Sequence, residues 1–155
     1  MPAAEIDALI AALENAPRRL RSLPAHAETR WRAAPHGGWS AIETLGHLRA
    51  ADEIVAPRLL QVAVRDEPFL LAWDERRWQE VVAYETLAPA RLIAAFTARR
   101  EELVHALRRL PAAAWERIGL HEERGQLTLL TIGLGLAAHE AEHLDQIESA
   151  LAGPA

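Results

Sequence analysis

The sequence predicts an all-α protein, a four-helix bundle with a long crossover connection between the second and third helices. Three observations predict it. Alanine, leucine, arginine and glutamate dominate the chain, and all are good helix formers. No segment sustains the period-two alternation of a strand, and no clear hairpin signal appears. Four segments repeat apolar residues at helical spacing, and a bundle is the economical way to bury four such faces.

The first helix is predicted from about Ala3 to Leu20, with Ile6, Leu9, Ile10 and Leu13 on one face. A stretch containing proline, glycine and histidine follows and ends at Gly37-Gly38. The second helix has a marked start. Ser40-Ala-Ile-Glu43 reads as a capping box, with Trp39 placed to act as a hydrophobic staple. This helix continues to about Val64, and Pro57 is a candidate kink. A crossing segment with Trp73, Asp74, Trp78 and Tyr84 leads to the third helix, from near Pro89 to Leu110. Pro111 to Trp115 reads as a short turn, and Arg117 to Leu127 as irregular. The fourth helix starts at Thr128, a reasonable N-cap, and runs to about Leu151, with Gly153-Pro154 as its stop.

A chain of 155 residues with half of them apolar fits one globular domain over 1–155. It has no cysteine, which excludes disulfides, zinc–thiolate sites and a cysteine nucleophile. No apolar run approaches 18 residues, so no transmembrane helix is expected. The first twenty residues lack the basic start and solid apolar centre of a signal peptide, which makes cytoplasm the expected location. Net charge is −5. The cationic side chains are all arginine, and none of their clusters is long enough to track a phosphate backbone. Nucleic acid is therefore disfavoured as a partner.

The chemistry concentrates in histidine, of which there are seven. On the second helix, Leu45, Leu48, Val55 and Leu59 form the apolar stripe, and His47 lies at its edge beside Ala50 and Ala51. On the fourth, Leu129, Leu136, Ile147 and Leu151 form the stripe. His139 and His143 share one edge of it, a turn after Gly135. Small neighbours leave room for an ion and its ligand. The i, i+4 spacing stacks the two imidazoles about 6 Å apart, close enough to share a metal. His47 would complete three neutral nitrogens with an open position, the pattern of a catalytic rather than a structural site. Nitrogen donors suit zinc, nickel, iron or copper. On the residues alone, satisfied core histidines remain the competing explanation. His26, His36, His105 and His121 read as surface or loop residues.

Two motifs compete for the same residues. His139-Glu140-Ala-Glu142-His143 spells H-E-x-x-H, in which Glu140 would be the general base. The zincin reading needs a third ligand downstream, and the twelve residues after His143 contain no histidine. Glu140-x-x-His143 with Glu102-x-x-His105 could form a di-iron bundle site, but Glu102 and His105 point away from the stripe of their helix. Glu140 itself falls within an apolar stripe, beside Leu144 and Ile147, where a carboxylate needs a partner. It could accept from a ligand imidazole, act as a base, or pair with an arginine.

Trp39-Ser40-Ala-Ile-Glu43-Thr-Leu45-Gly-His47-Leu48 resembles the W-S-x-x-E-x-L-x-H-L element of the DinB/YfiT-like superfamily. Gly125-Gln-Leu127-Thr128, followed by His139-Glu140-Ala-Glu142-His143-Leu144-Asp145-Gln146-Ile147, resembles its C-terminal element. Trp73-Asp74 and the Leu110-Pro111 to Trp115 segment also fit, so the resemblance covers nearly the whole chain. It implies a bundle with a long crossover and one metal held by His47, His139 and His143. A divalent ion is expected there, zinc or nickel first and iron next. The resemblance also implies frequent homodimers and a small-molecule substrate. Characterised relatives include transferases that use a low-molecular-weight thiol, bacillithiol or mycothiol, and a mycothiol-dependent maleylpyruvate isomerase. In such enzymes the metal would bind the cosubstrate thiolate. Two other readings stay open. One is a metal-binding stress or sensor module without turnover, which predicts a shallow site with no organic pocket. The other is a metal-dependent hydrolase with Glu140 or Asp52 as base. Glu43 reads as a capping residue. Gln146, one turn beyond His143, is placed to bond a ligand-side water or a neighbouring backbone.

Overall fold

A computed structural model describes residues 3–34 and 38–152. The expectations for His36, for Gly37 and for the stop at Gly153-Pro154 lie outside the described residues. Four long helices form the body: α1 (Ala3–Ser22), α3 (Ala41–Val64), α5 (Pro89–Leu107) and α6 (Leu129–Ala152). A short α2 (Glu28–Arg32) precedes α3, and the crossover between α3 and α5 carries β1 (Phe69–Leu70) and α4 (Glu75–Val82). The chain is a four-helix bundle with that long crossover, as the sequence predicts. α3 runs unbroken through Pro57.

The helix starts are set locally. Ser40 Oγ accepts from the Glu43 N–H at 3.4 Å, and Glu43 Oε2 accepts from the Ser40 N–H at 2.8 Å, closing the capping box. Asp74 caps α4 by accepting from the Arg77 N–H at 2.9 Å. Thr128 caps α6 by accepting from the Thr131 N–H at 3.0 Å. The staple is different. The exposed Trp39 ring lies edge-on to His47, with centroids 5.1 Å apart, so it walls the histidine.

Packing is not that of a simple up-and-down bundle. α3 packs against α6 and α5, while α1 packs against α5 and α6. Helices consecutive in the chain, α1 with α3 and α5 with α6, therefore sit diagonally. The core is in two parts. One contains Leu9, Leu13, Leu59, Leu103, Trp115, Leu129 and Leu136. The other contains Leu20, Ile42, Leu45, Leu48, Phe96, Leu144 and Ile147. Between them in sequence on three helices stand the buried Asp52, Arg100 and Glu140. A charged layer thus separates the two apolar clusters at mid-height.

The stretch from Arg117 to Leu127 corrects the sequence reading. It forms a hairpin, β2 (Ile118–His121) antiparallel to β3 (Gly125–Thr128), with β1 added parallel to β2. Gly125 pairs with His121 at φ +71°, closing a three-residue loop with a glycine in the left-handed region. Strands of four residues alternate too briefly to stand out from helical context. Glu-Arg-Gly at a turn is also weaker than Asn-Gly or Asp-Gly. The glycine was the available signal.

Candidate metal centre

α3 and α6 bring His47, His139 and His143 together. His47 Nε2 lies 3.0 Å from His139 Nε2, and His139 Nε2 lies 3.0 Å from His143 Nε2. The ligand atoms of all three fall within 4.8 Å of one another. His139 and His143 meet because four residues complete about one helical turn. His47 meets them because its place on α3 faces α6, a relation that no local spacing encodes.

The far side of two rings is held. Gln146 Oε1 lies 2.8 Å from His143 Nδ1. An amide oxygen only accepts, so Nδ1 carries the proton and Nε2 presents its lone pair. Gln79, on α4, hydrogen-bonds the His47 ring and donates its own N–H to the Glu43 carbonyl at 3.0 Å. Gly46 lets the crossover come this close: a Cβ there would stand 3.2 Å from the Glu85 backbone nitrogen. Burial, then the neighbouring His143 and His47, lowers His139 to about 4. Burial and His143 also lower His47, against the pull of Glu75 and Gln79. Both rings are neutral at pH 7, the form that ligates a metal.

The donor set fits a divalent ion. Imidazole nitrogens about 2.0–2.1 Å from a tetrahedral ion stand about 3.3 Å apart, near the 3.0 Å separations here. Lone pairs crowded at this distance repel unless a proton or a cation lies between them. One further donor is at hand. Glu75, half-exposed at the start of α4, places Oε2 3.9 Å from His47 Nε2. Sequence reasoning stopped one residue short of it, at Trp73-Asp74.

Glu140, a candidate base from the H-E-x-x-H reading, is turned into the bundle. It is 2% exposed and pairs with Arg100, which also bonds Asp52 at 3.1 Å. Asp52 is fully buried and bonds Arg99 at 2.7 Å. Neither carboxylate is placed to take a proton from a nucleophile at the triad. Burial, with Asp52 adding, raises the Glu140 carboxyl to about 8 against the pull of Arg100. Glu102 and His105 are exposed on α5, away from the triad.

A cavity of about 290 Å³ opens beside the triad between α3 and α6. Its lining includes His139, Glu75, Trp73, Arg58, His121 and Arg124. His121, read from sequence as a surface or loop residue, is buried here. Its Nδ1 accepts from the Glu123 and Arg124 N–H groups at 3.2 and 3.3 Å and braces the hairpin turn. Among the described residues, no helix is long and apolar enough to cross a membrane.

Similarity to known proteins agrees with this architecture. No curated protein matches the chain. A solved structure of YfiT from Bacillus subtilis, described as a probable metal-dependent hydrolase with an unusual four-helix bundle topology, superposes with a TM-score of 0.82. It is 20% identical, and the match covers 96% of this chain and 89% of that one. At that identity the likeness establishes the fold. The family model of the DinB superfamily matches residues 8–147, and the chain belongs to the DinB superfamily.

Proposed function

We propose that the chain is a metal-dependent enzyme acting on a small molecule, with His47, His139 and His143 holding one divalent ion. The observation that carries this reading is the convergence of three Nε2 atoms beside an open cavity. The ion in this reading is zinc or nickel, with iron as the alternative, all metals that imidazole nitrogens suit. A bound ion supplies Lewis acidity at its open position. The chain supplies the rest. Gln79 and Gln146 hold the ring orientations, and Trp39 covers His47. Glu75 is the carboxylate placed to accept a proton from a nucleophile in the cavity. A sensor module without turnover would not need such a cavity. Residues 1–155 act as one domain in this reading, located in the cytoplasm, with a homodimer following from the family resemblance.

The leading reaction is transfer to or from a low-molecular-weight thiol. The absence of cysteine in the chain fits a thiol that arrives with the cosubstrate. Hydrolysis is the second reading, favoured by Glu75 as a base and by the description of the Bacillus subtilis structure. Metal-loaded protein, mixed with an electrophile and each of several thiols, should consume thiol. If none is consumed while an ester is cleaved, and cleavage loses its pH–rate limb in Glu75→Gln, hydrolysis replaces transfer. If neither occurs, the enzymatic reading fails.

A further inference from the structure

We propose that the cavity beside the histidine triad binds a small organic carboxylate, with Arg58 and Arg124 forming its anion-recognition end. This rests on the reading of that cavity as a substrate site.

Arg58 follows His47 by eleven residues on α3, so both lie on one face of the helix, about 16 Å apart at the backbone. Ala51 and Val55 fall between them on that face, and both line the cavity. The cavity therefore runs from the triad toward the hairpin, where Arg124 joins Arg58. One Arg58 amine donates to the Leu71 carbonyl, which fixes the side chain. Its Nε is buried without a hydrogen-bond partner, and no carboxylate pairs with Arg58 or Arg124 among the described residues. Burial and the charge of Arg124 lower the pKa of Arg58, with only Glu75 pulling the other way. A guanidinium this poorly compensated gains most from an anion brought by a ligand.

His121 adds a donor. Its Nδ1 accepts two backbone N–H groups, so a neutral ring carries its proton on Nε2. Glu75 and Glu123 line the same cavity without pairing with either arginine, and their charge disfavours a phosphate dianion more than a singly charged carboxylate.

The test is calorimetric titration of the full chain, zinc-loaded and metal-free, with 3-phenylpropionate, 3-phenylpropanamide and 2-phenylethyl phosphate. The acid should bind both forms, about 10-fold or more tighter than the amide, and no weaker than the phosphate. Arg58→Gln and Arg124→Gln should each cost about 10-fold for the acid, little for the amide, and leave zinc stoichiometry unchanged. Arg124 sits on an exposed turn, so its variant tests the idea even if Arg58→Gln disturbs the Leu71 anchor. Equal binding of acid and amide, binding of neither, a preference for the phosphate, or unchanged affinity in Arg124→Gln overturns the proposal. A chain that binds no zinc but keeps the preference for the acid would sink the metal reading and leave this one standing.

Discussion

Gln146 Oε1 accepts from His143 Nδ1 at 2.8 Å, and that bond decides which nitrogen of His143 faces the other two imidazoles. The residue contributes nothing to the cavity lining, yet it sets the tautomer of a metal-ligand candidate. Partners of this kind are typically worth about 10–100-fold in metal affinity. Gln146→Leu should therefore weaken zinc binding by about 10-fold or more in competition with a calibrated chelator. Gln146→Glu, which keeps the acceptor, should retain most of the affinity. Equal loss in both variants would mean that Gln146 acts only through packing.

His139 stands between the other two rings, 3.0 Å from each. Protein purified without a histidine tag should carry one equivalent of metal by elemental analysis, and His139→Ala should carry none. The stabilisation by added zinc, about 2.7 kcal/mol at a hundredfold excess over its dissociation constant, should vanish with it. Unchanged metal content in the variant would sink the site.

The same histidine makes the metal-free protein sensitive to acid. Its folded pKa, about 4, lies below the ordinary value of 6.5. Between those values the unfolded chain binds more protons, so this contribution to stability is present above 6.5 and is lost as pH falls toward 4. Urea titrations of the metal-free chain from pH 7 to 4 should show wild type losing stability faster than His139→Ala. Parallel curves would contradict the assignment.

Glu140 predicts the opposite slope. Its folded pKa, about 8, lies above the ordinary 4.5, so its contribution is present below 4.5 and is lost as pH rises through 8. A carboxyl that is largely protonated at neutral pH is closely mimicked by an amide. Glu140→Gln should unfold at nearly the wild-type urea midpoint at pH 7 and be relatively more stable at pH 9. Arg100→Met leaves Asp52 bonded to Arg99 and Glu140 without a cation, so it should lower the urea midpoint more at pH 9, where Glu140 is ionised, than at pH 7. A large loss in Glu140→Gln at pH 7 would show that the ionised pair is the resting state.

What depends on near neighbours along a helix is legible in the sequence. The apolar spacing predicts four helices, Ser40 and Glu43 predict the start of α3, and the four-residue spacing of His139 and His143 places them on one face. The matched elements around His47 and His139 carried the family. Tertiary structure decided what depends on how those helices pack. His47 lies 92 residues from His139, and only the packing of α3 on α6 places their nitrogens 3.0 Å apart. Glu140 read equally well as base or ion-pair partner, because a helical wheel gives its direction but cannot show that Arg100 waits there. Glu75, Gln79, Arg58, His121 and Arg124 left no local signal, since they come from a capped crossover, a distant helix turn and a short hairpin. Helical periodicity is written within a few residues, whereas a site between elements follows from packing that no single segment specifies.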